Sequence, residues 1–335
     1  MNTMSASRQG SVLVTGGAGY IGSHMTLALA DQGDKVVVLD NLTTGVRAQV
    51  AEAATFVQGD IRDTKLVREV LEKHQVEAVI HFAGSIVVPE SVENPLFYYA
   101  NNTAASRDLI EACVAGGVKK FIFSSTAAVY GVTDQPAIAE DGFKDPESPY
   151  GRSKLMTEWM LADTAVAHDF RYVALRYFNV AGADPKGRSG QSTPRATHLI
   201  KRACQVALGR VPHLGIFGTD YPTPDGTGIR DYIHVSDLIG AHALALAHLR
   251  DGGESATFNC GYGHGFSVRE VAKAVERAAG KPLAVKEMPR RAGDPPMIVS
   301  NPAKLKAALG WKPEHDSLDE IVAGALAWES RLNSP

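Results

Sequence analysis

The sequence predicts an α/β fold: a doubly wound parallel sheet over residues 1–180, followed by a smaller C-terminal mixed α/β domain over 181–335. Three observations carry this. Short, continuously apolar runs rich in β-branched residues alternate with helical stretches through the first half. A glycine-rich turn joins the first such run to the first helical stretch. The alternation stops after Asn179. Strands apolar at nearly every position are buried on both faces, which is the pattern of a parallel sheet. Right-handed crossovers then put helices on both sides of it.

The elements follow in order. SVLVT (Ser11–Thr15) is the first strand, and the helical stretch after the glycines runs to about Gln32. KVVVLD (Lys35–Asp40) and TFVQGD (Thr55–Asp60) are the second and third strands, with a helix from about Thr64 to His74. EAVIHFA (Glu77–Ala83) is the fourth strand, and one long helical pattern covers Pro95 to Ala115. KKFIFSS (Lys119–Ser125) is the fifth strand, Tyr150 to His168 a helix, and RYVALRYFN (Arg171–Asn179) the sixth strand. Gly182–Pro194 and Gly218–Gly228 read as loops from their glycine, proline and polar content. Helices are expected near Thr197–Leu208, Val235–Leu249, Ser267–Ala279 and Leu318–Leu332. A late segment near 230–260 is free to return and extend the sheet. Met1–Gln9 reads as a frayed polar tail without the apolar stretch of a signal peptide.

Composition excludes several classes. The chain has 335 residues, 44% of them apolar and 21% charged, which suits a globular protein and not a disordered one. Lys and Arg number 34 against 37 Asp and Glu. There is no basic excess of the kind that nucleic-acid or membrane-surface binding uses. Cys113, Cys204 and Cys260 are widely spaced and form neither a disulfide framework nor a zinc motif. They point to a reducing, cytoplasmic setting. No metal is expected: His24, His81 and His234 lack ligand spacing and read as core or cap residues.

Gly16, Gly19 and Gly22 stand at GxxGxxG spacing, directly after a strand and opening a helix. Glycine lets backbone approach a pyrophosphate, and the helix end offers free N–H groups and a positive dipole. Asp40 ends the second strand, where a carboxylate accepts both ribose hydroxyls and repels a 2′-phosphate, predicting NAD over NADP. Asp60, ending the third strand, reads either as a turn residue or as a neighbour of the adenine.

Tyr150 and Lys154 lie in SPYGRSK at i, i+4, on one face of a helix. A free tyrosine, with a pKa of about 10, is a poor base at neutral pH, and a nearby ammonium favours its phenolate. Ser124, Ser125 and Thr126 end the fifth strand, at the sheet edge where such folds bind ligands.

TGGAGYIGSH, HFAG, FSSTAAVYG, SPYGRSK, RYFNVAGA, DGTGIRDYIHV and RRAGDPP occur in that order. Together they resemble the extended short-chain dehydrogenase/reductase family, most closely its UDP-hexose 4-epimerase branch. The resemblance runs from about Ser11 to the C-terminus. It implies an NAD-binding Rossmann domain and a UDP-sugar-binding domain. It implies an NAD-dependent isomerase that interconverts UDP-galactose and UDP-glucose at C4 through a 4-keto sugar, acting as a homodimer. By the same resemblance Tyr150 is the base, Lys154 its electrostatic partner and a ribose ligand, and Thr126 the bridge between Tyr150 and the 4-hydroxyl. Tyr20, Ile21, Asp40, Asn41, Asp60, Ile61, Phe82, Ala83, Gly84, Asn101, Ser124 and Tyr177 line NAD. Asn179, Leu199, Phe217, Arg230, Arg291 and Asp294 line the UDP-sugar, and Ile298 holds a gatekeeper position beside C2 of the hexose. Independently of the family, arginine forks suit a diphosphate, Arg290 reads as a surface ion pair, and Phe217 alone reads as core.

Departures from the family pattern are informative. Ile86 stands where the family often has lysine, which leaves Lys154 alone with the ribose. His198 stands where asparagine is common, either as a uridine donor or as a solvated helix-start residue. Leu155, Met156, Trp159 and Met160 give their helix more apolar surface than one sheet face needs, through either a dimer interface or plain core. The rivals are a 4-epimerase for another UDP-sugar (N-acetylhexosamine, glucuronate or pentose), a 4,6-dehydratase and a non-catalytic NAD sensor. Ala127 and Ala128 occupy the dehydratase acid positions, and a sensor has no need of both Tyr150 and Lys154.

Overall fold

The computed structural model describes residues 10–133, 135–193, 197–291 and 294–332. The expected tail Met1–Gln9 and Pro194 at the end of the first loop lie outside the described residues. The first half comprises β1 (Ser11–Thr15), α1 (Tyr20–Asp31), β2 (Val36–Asp40), β3 (Thr55–Gln58), α2 (Thr64–Lys73) and β4 (Val76–His81). It continues through α3 (Val88–Glu93), α4 (Pro95–Tyr98), a π-helical turn (Tyr99–Ala104), α5 (Ala105–Ala115), β5 (Lys120–Thr126), α6 (Pro149–Ala167) and β6 (Arg171–Tyr177). Then come β7 (Asn179–Ala181), α7 (Leu199–Ala207), β8 (Leu214–Phe217), β9 (Ile229–Arg230), β10 (Tyr232–His234), α8 (Val235–Arg250) and β11 (Ala256–Cys260). The chain closes with β12 (Phe266–Ser267), α9 (Val268–Ala279), β13 (Val285–Met288), β14 (Met297–Ile298), α10 (Ala303–Leu309) and α11 (Leu318–Arg331).

Seven strands form one sheet in the order β11-β6-β5-β4-β1-β2-β3, and every adjacent pair is parallel. Side chains alternate between its faces, as the period of a strand requires. Val12, Val14, Val38, Ile80, Ile122 and Leu175 pack into the core that α1 and α8 cover. Leu13, Val37, Val79, Phe121, Phe123 and Ala174 pack into the other, shared with residues of α2, α5 and α6. The strand order reverses between β1 and β4, so the crevice at their carboxyl ends is the switch point where ligands bind in such sheets. Among the described residues no helix is long and apolar enough to cross a membrane.

Three differences from the sequence reading bear on the site. The expected single helix Pro95–Ala115 is broken by the π-helical turn, and α3 precedes it. Such a turn re-aims side chains, and here Asn102 is buried, bonding Ser85 O (2.9 Å), Ser85 N (2.8 Å) and Ser153 Oγ (3.1 Å). The expected strand Arg171–Asn179 divides at Phe178: β6 stays in the main sheet and β7 leaves it to pair with β10. The second half also holds two small sheets, β12-β9-β14 and β13-β8, made from segments too short for a periodicity to reveal.

Candidate active site

The α6 helix is pinned at its start. The Ser148 hydroxyl accepts the Gly151 N–H at 3.2 Å and Pro149 occupies the first turn, a favoured start. This sets the Tyr150 and Lys154 side chains, both buried, against the carboxyl end of β5. The Lys154 ammonium donates to Ser124 O at 3.0 Å and lies 5.0 Å from the centre of the Phe123 ring. Burial disfavours its charge and pulls its pKa down to about 8. The Tyr150 hydroxyl is hydrogen-bonded to Thr126. Burial raises the phenol above its ordinary value and the Thr126 bond opposes it. Burial therefore outweighs the lowering expected of Lys154, whose ammonium is directed at the Ser124 carbonyl. Tyr177, the register partner of Thr126, bonds the Ser124 hydroxyl.

The glycine turn ends β1 at the switch point. Gly16 has φ +71°, and a Cβ there would meet Ala83 N at 2.6 Å. A Cβ on Gly22 would meet Gly16 O at 2.2 Å, so helix and turn touch through bare backbone. No side chain caps α1 and no acidic residue sits in its first turn, which covers Tyr20, Ile21 and Gly22. The uncapped positive helix end fits a diphosphate. Tyr20 itself is buried, and its hydroxyl donates to Gly182 O at 2.7 Å, tying the two halves together. Phe82 and Ala83 both bond Thr15 O, and a Cβ on Gly84 would lie 3.6 Å from the Lys154 amine. Asn101 donates to Ser85 Oγ at 3.0 Å.

The Asp40 carboxylate is buried at the end of β2 and accepts Ala18 N (2.9 Å) and Leu42 N (2.8 Å). One bond per oxygen leaves further acceptor capacity for a ribose. Just past the end of β3 the Asp60 carboxylate accepts Arg62 and the Asn41 amide, which hold it well below the usual carboxylate range, beside buried Ile61.

In the second half Arg230 pairs with Asp294 at 2.8 Å, and its register partner in β14 is Ile298. Ile298 and Ala127 both pack against a cluster containing Phe178, Leu155 and Tyr130. The Arg291 guanidinium lies 3.7 Å above the half-buried Phe217 ring, so Phe217 is a stacking platform at the end of β8 and not closed core. Arg290 pairs with Asp220 at the surface, as its sequence context suggested. Asn179 Nδ2 donates to Asp231 O at 3.3 Å, and Asn179, Leu199, His198, Tyr232 and Trp328 line a common cavity. His198 is half-buried at the N-cap of α7, its ring 3.4 Å from the Gln191 amide, and burial lowers its pKa. Sequence reasoning passed over Asp231, whose buried carboxylate accepts Tyr262 N (2.9 Å), Gly263 N (3.1 Å) and Ser300 Oγ (2.6 Å). Its place beside Arg230 in DGTGIRDYIHV was the available signal.

Residues 12–261 match the NAD dependent epimerase/dehydratase family. The UDP-glucose 4-epimerase of Azospirillum brasilense is 58% identical over 321 residues, covering 96% of this chain and 92% of that one. The chain belongs to the UDP-glucose 4-epimerase family. Among solved members, the Brucella ovis UDP-glucose 4-epimerase in complex with NAD superposes with a TM-score of 0.93 at 47% identity, covering 96% of this chain and 98% of that one. The UDP-Glc/GlcNAc 4-epimerase of Campylobacter jejuni gives 0.85 at 45% identity, covering 96% and 100%. The epimerase family match thus spans both the glycine turn and the Tyr150–Lys154 pair.

Proposed function

We propose that the protein is an NAD-dependent epimerase that interconverts UDP-galactose and UDP-glucose at C4. The observation that carries this is the Thr126–Tyr150–Lys154 grouping at the sheet edge, beside a glycine turn fitted to a diphosphate. The α1 N-terminus would hold the cofactor pyrophosphate, Asp40 its adenosine ribose, and Lys154 and Tyr177 the nicotinamide end. Bound there, NAD would supply the hydride acceptor and donor that inversion at C4 needs. Tyr150 takes the proton of the 4-hydroxyl as a phenolate, and the Thr126 hydroxyl keeps that oxygen in line with it. The Lys154 ammonium favours the phenolate. Tyr150 gives the same proton back, so the chain ends each cycle as it began. Arg230, Arg291 and Asp294 grip the nucleotide, with Phe217, Leu199 and Asn179 around it.

Ala127 and Ala128 follow Thr126 where a dehydratase would need acids, which favours epimerisation. The division into a Rossmann domain of about 1–180 and a UDP-sugar domain of 181–335, joined by the return of β11, belongs to the same reading. So does a cytoplasmic location, supported by three free, buried cysteines. The test is a coupled assay of UDP-galactose conversion to UDP-glucose without added NAD. Turnover is expected, and a purified protein that leaves C4 untouched both without and with added NAD refutes the reading.

The working form in this reading is a homodimer built on the helical stretch Pro95–Ala115 (α4, the π-helical turn and α5) and on α6. Leu96 is 80% exposed, Phe97 50% and Trp159 57%. Met156 and Met160 line an open apolar groove with Tyr99, Ala100, Thr103, Ala104 and the Arg107 stem, while Leu155 is plain core. Light scattering at micromolar concentration is expected to give twice the chain mass, and a monomer there overturns this part.

A further inference from the structure

The α6 helix carries one more buried polar group on its catalytic face. Tyr150, Lys154 and Glu158 recur at i, i+4 and i+8, one above the other. The Glu158 carboxylate accepts the Ser125 hydroxyl from β5. It also accepts the Arg176 fork from β6, with Nε at 2.9 Å to one oxygen and 3.2 Å to the other. The Arg176 Nη1 donates to the Tyr130 hydroxyl (2.7 Å) and Glu140 O (3.0 Å), and Tyr130 donates to Asn259 Oδ1 in β11 (2.6 Å). Both partners of the ion pair are almost wholly buried.

Each member sits next to a reacting group. Ser125 lies between Ser124 and Thr126, Arg176 precedes Tyr177, and Glu158 is one turn beyond Lys154. By strand alternation, Ser125 and Arg176 follow Phe123 and Ala174 onto the face that α6 covers. A buried ion pair is a poor source of stability, because apolar residues of similar volume do as well or better. What a planar fork adds is direction: a greasy contact lets a helix slide or roll, and a bidentate guanidinium–carboxylate pair does not.

We propose that Glu158, clamped by Arg176 and Ser125, is a positioning residue that fixes α6 against β5 and β6 and so sets the reach of Tyr150 and Lys154 to Thr126 and Ser124. This rests on the reading of Tyr150 as the base.

The experiment uses purified enzyme carrying its NAD, in three variants: Ser125→Ala, Glu158→Gln, and the double Glu158→Leu with Arg176→Met. The double variant removes both charges, so no unpaired charge is left buried. It is expected to melt near the parent and keep KM for UDP-galactose within about twofold. A misplacement of about 1 Å can cost on the order of 100-fold, so kcat should fall on the order of 10- to 100-fold. The acidic limb of the kcat–pH profile should move to higher pH, since a phenol held farther from the ammonium keeps its proton longer. Ser125→Ala should show a smaller effect in the same direction. It leaves the ion pair intact, so it carries the test if the charge variants do not fold. Parent-like kcat in the folded variants, or a loss of kcat with an unmoved limb, overturns the proposal. Tyr150→Phe run alongside separates the two readings. If it is active, the base assignment fails; if it is dead while the three variants are parent-like, only the clamp fails.

Discussion

Replacing Tyr150 with phenylalanine removes one oxygen from a buried site and leaves a ring of the same shape. The hydrogen bond to Thr126 is lost, a net contribution of about 0.5–1.5 kcal/mol. The cost of burying the phenol hydroxyl goes with it. Thr126 is not stranded, because its oxygen still accepts Ala128 N at 3.2 Å. Stability should therefore change by about 1 kcal/mol or less. Catalysis should change far more. General base action is worth about 10²–10⁴-fold, or about 2.7–5.4 kcal/mol of transition-state stabilisation. The assay measures UDP-galactose turnover, the NAD released on denaturation, and the melting temperature of the same preparation. Expected are full NAD content, a near-parent melt and a rate at least about 100-fold down. A rate within tenfold of the parent refutes the assignment, and so does a rate loss matched by loss of NAD.

Asp40→Ala should let cofactor-stripped enzyme refilled with NADP approach its activity with NAD; an unchanged preference removes Asp40 from the ribose site. Lys154 sits at about 8 because burial disfavours its ammonium, so the helpful charge is lost as pH rises through that value and kcat/KM should fall on the alkaline side. Lys154→Arg keeps its charge and should abolish that limb even at a lower rate; a limb that persists belongs to another group. Ile298→Tyr should raise the preference for plain over N-acetylated UDP-sugars and Ile298→Gly should lower it, by roughly 5- to 150-fold if overpacking costs about 1–3 kcal/mol. An equal kcat/KM ratio in parent and both variants means that Ile298 does not gate.

Much of this was legible in the sequence, for definite physical reasons. The sheet strands announce themselves because a parallel strand is apolar on both faces, and β1, β2 and β5 lack polar residues except near their ends. The glycine turn and Asp40 are local features with fixed spacing, as is the Tyr150–Lys154 pair. What the sequence hid is what depends on distant partners. Glu158 and Arg176 are 18 residues apart and look like ordinary surface charges until the fold joins them. Asp231 and Asn102 likewise look like loop and helix polars. The π-helical turn hid inside a good helical pattern because its neighbours are helical. Strand β7 hid inside β6 because only the pairing with β10 separates them.

The proposed reaction asks for two opposite qualities in one pocket, and the residues divide between them. The sugar must turn over after losing its hydride, so tight contacts around the ring would slow the step. The nucleotide must stay put while it does. The charged and forked groups assigned to the substrate, Arg230, Asp294 and Arg291 over Phe217, all lie in the second half. Toward Thr126 and Tyr150 the neighbours change character: Ala127 is small, and Ile298 and Phe178 are apolar. Binding energy placed on the nucleotide can be spent at C4 only if the two ends are rigidly related. Two observed links make that relation. Asn179, at the start of β7, donates to Asp231 O beside Arg230, and Ile298, paired with Arg230, packs on the same apolar cluster as Ala127, the neighbour of Thr126. Loosening either link should therefore cost kcat before it costs affinity for UDP. The opposite order, UDP affinity lost first with kcat intact, would mean that the grip and the chemistry are independent.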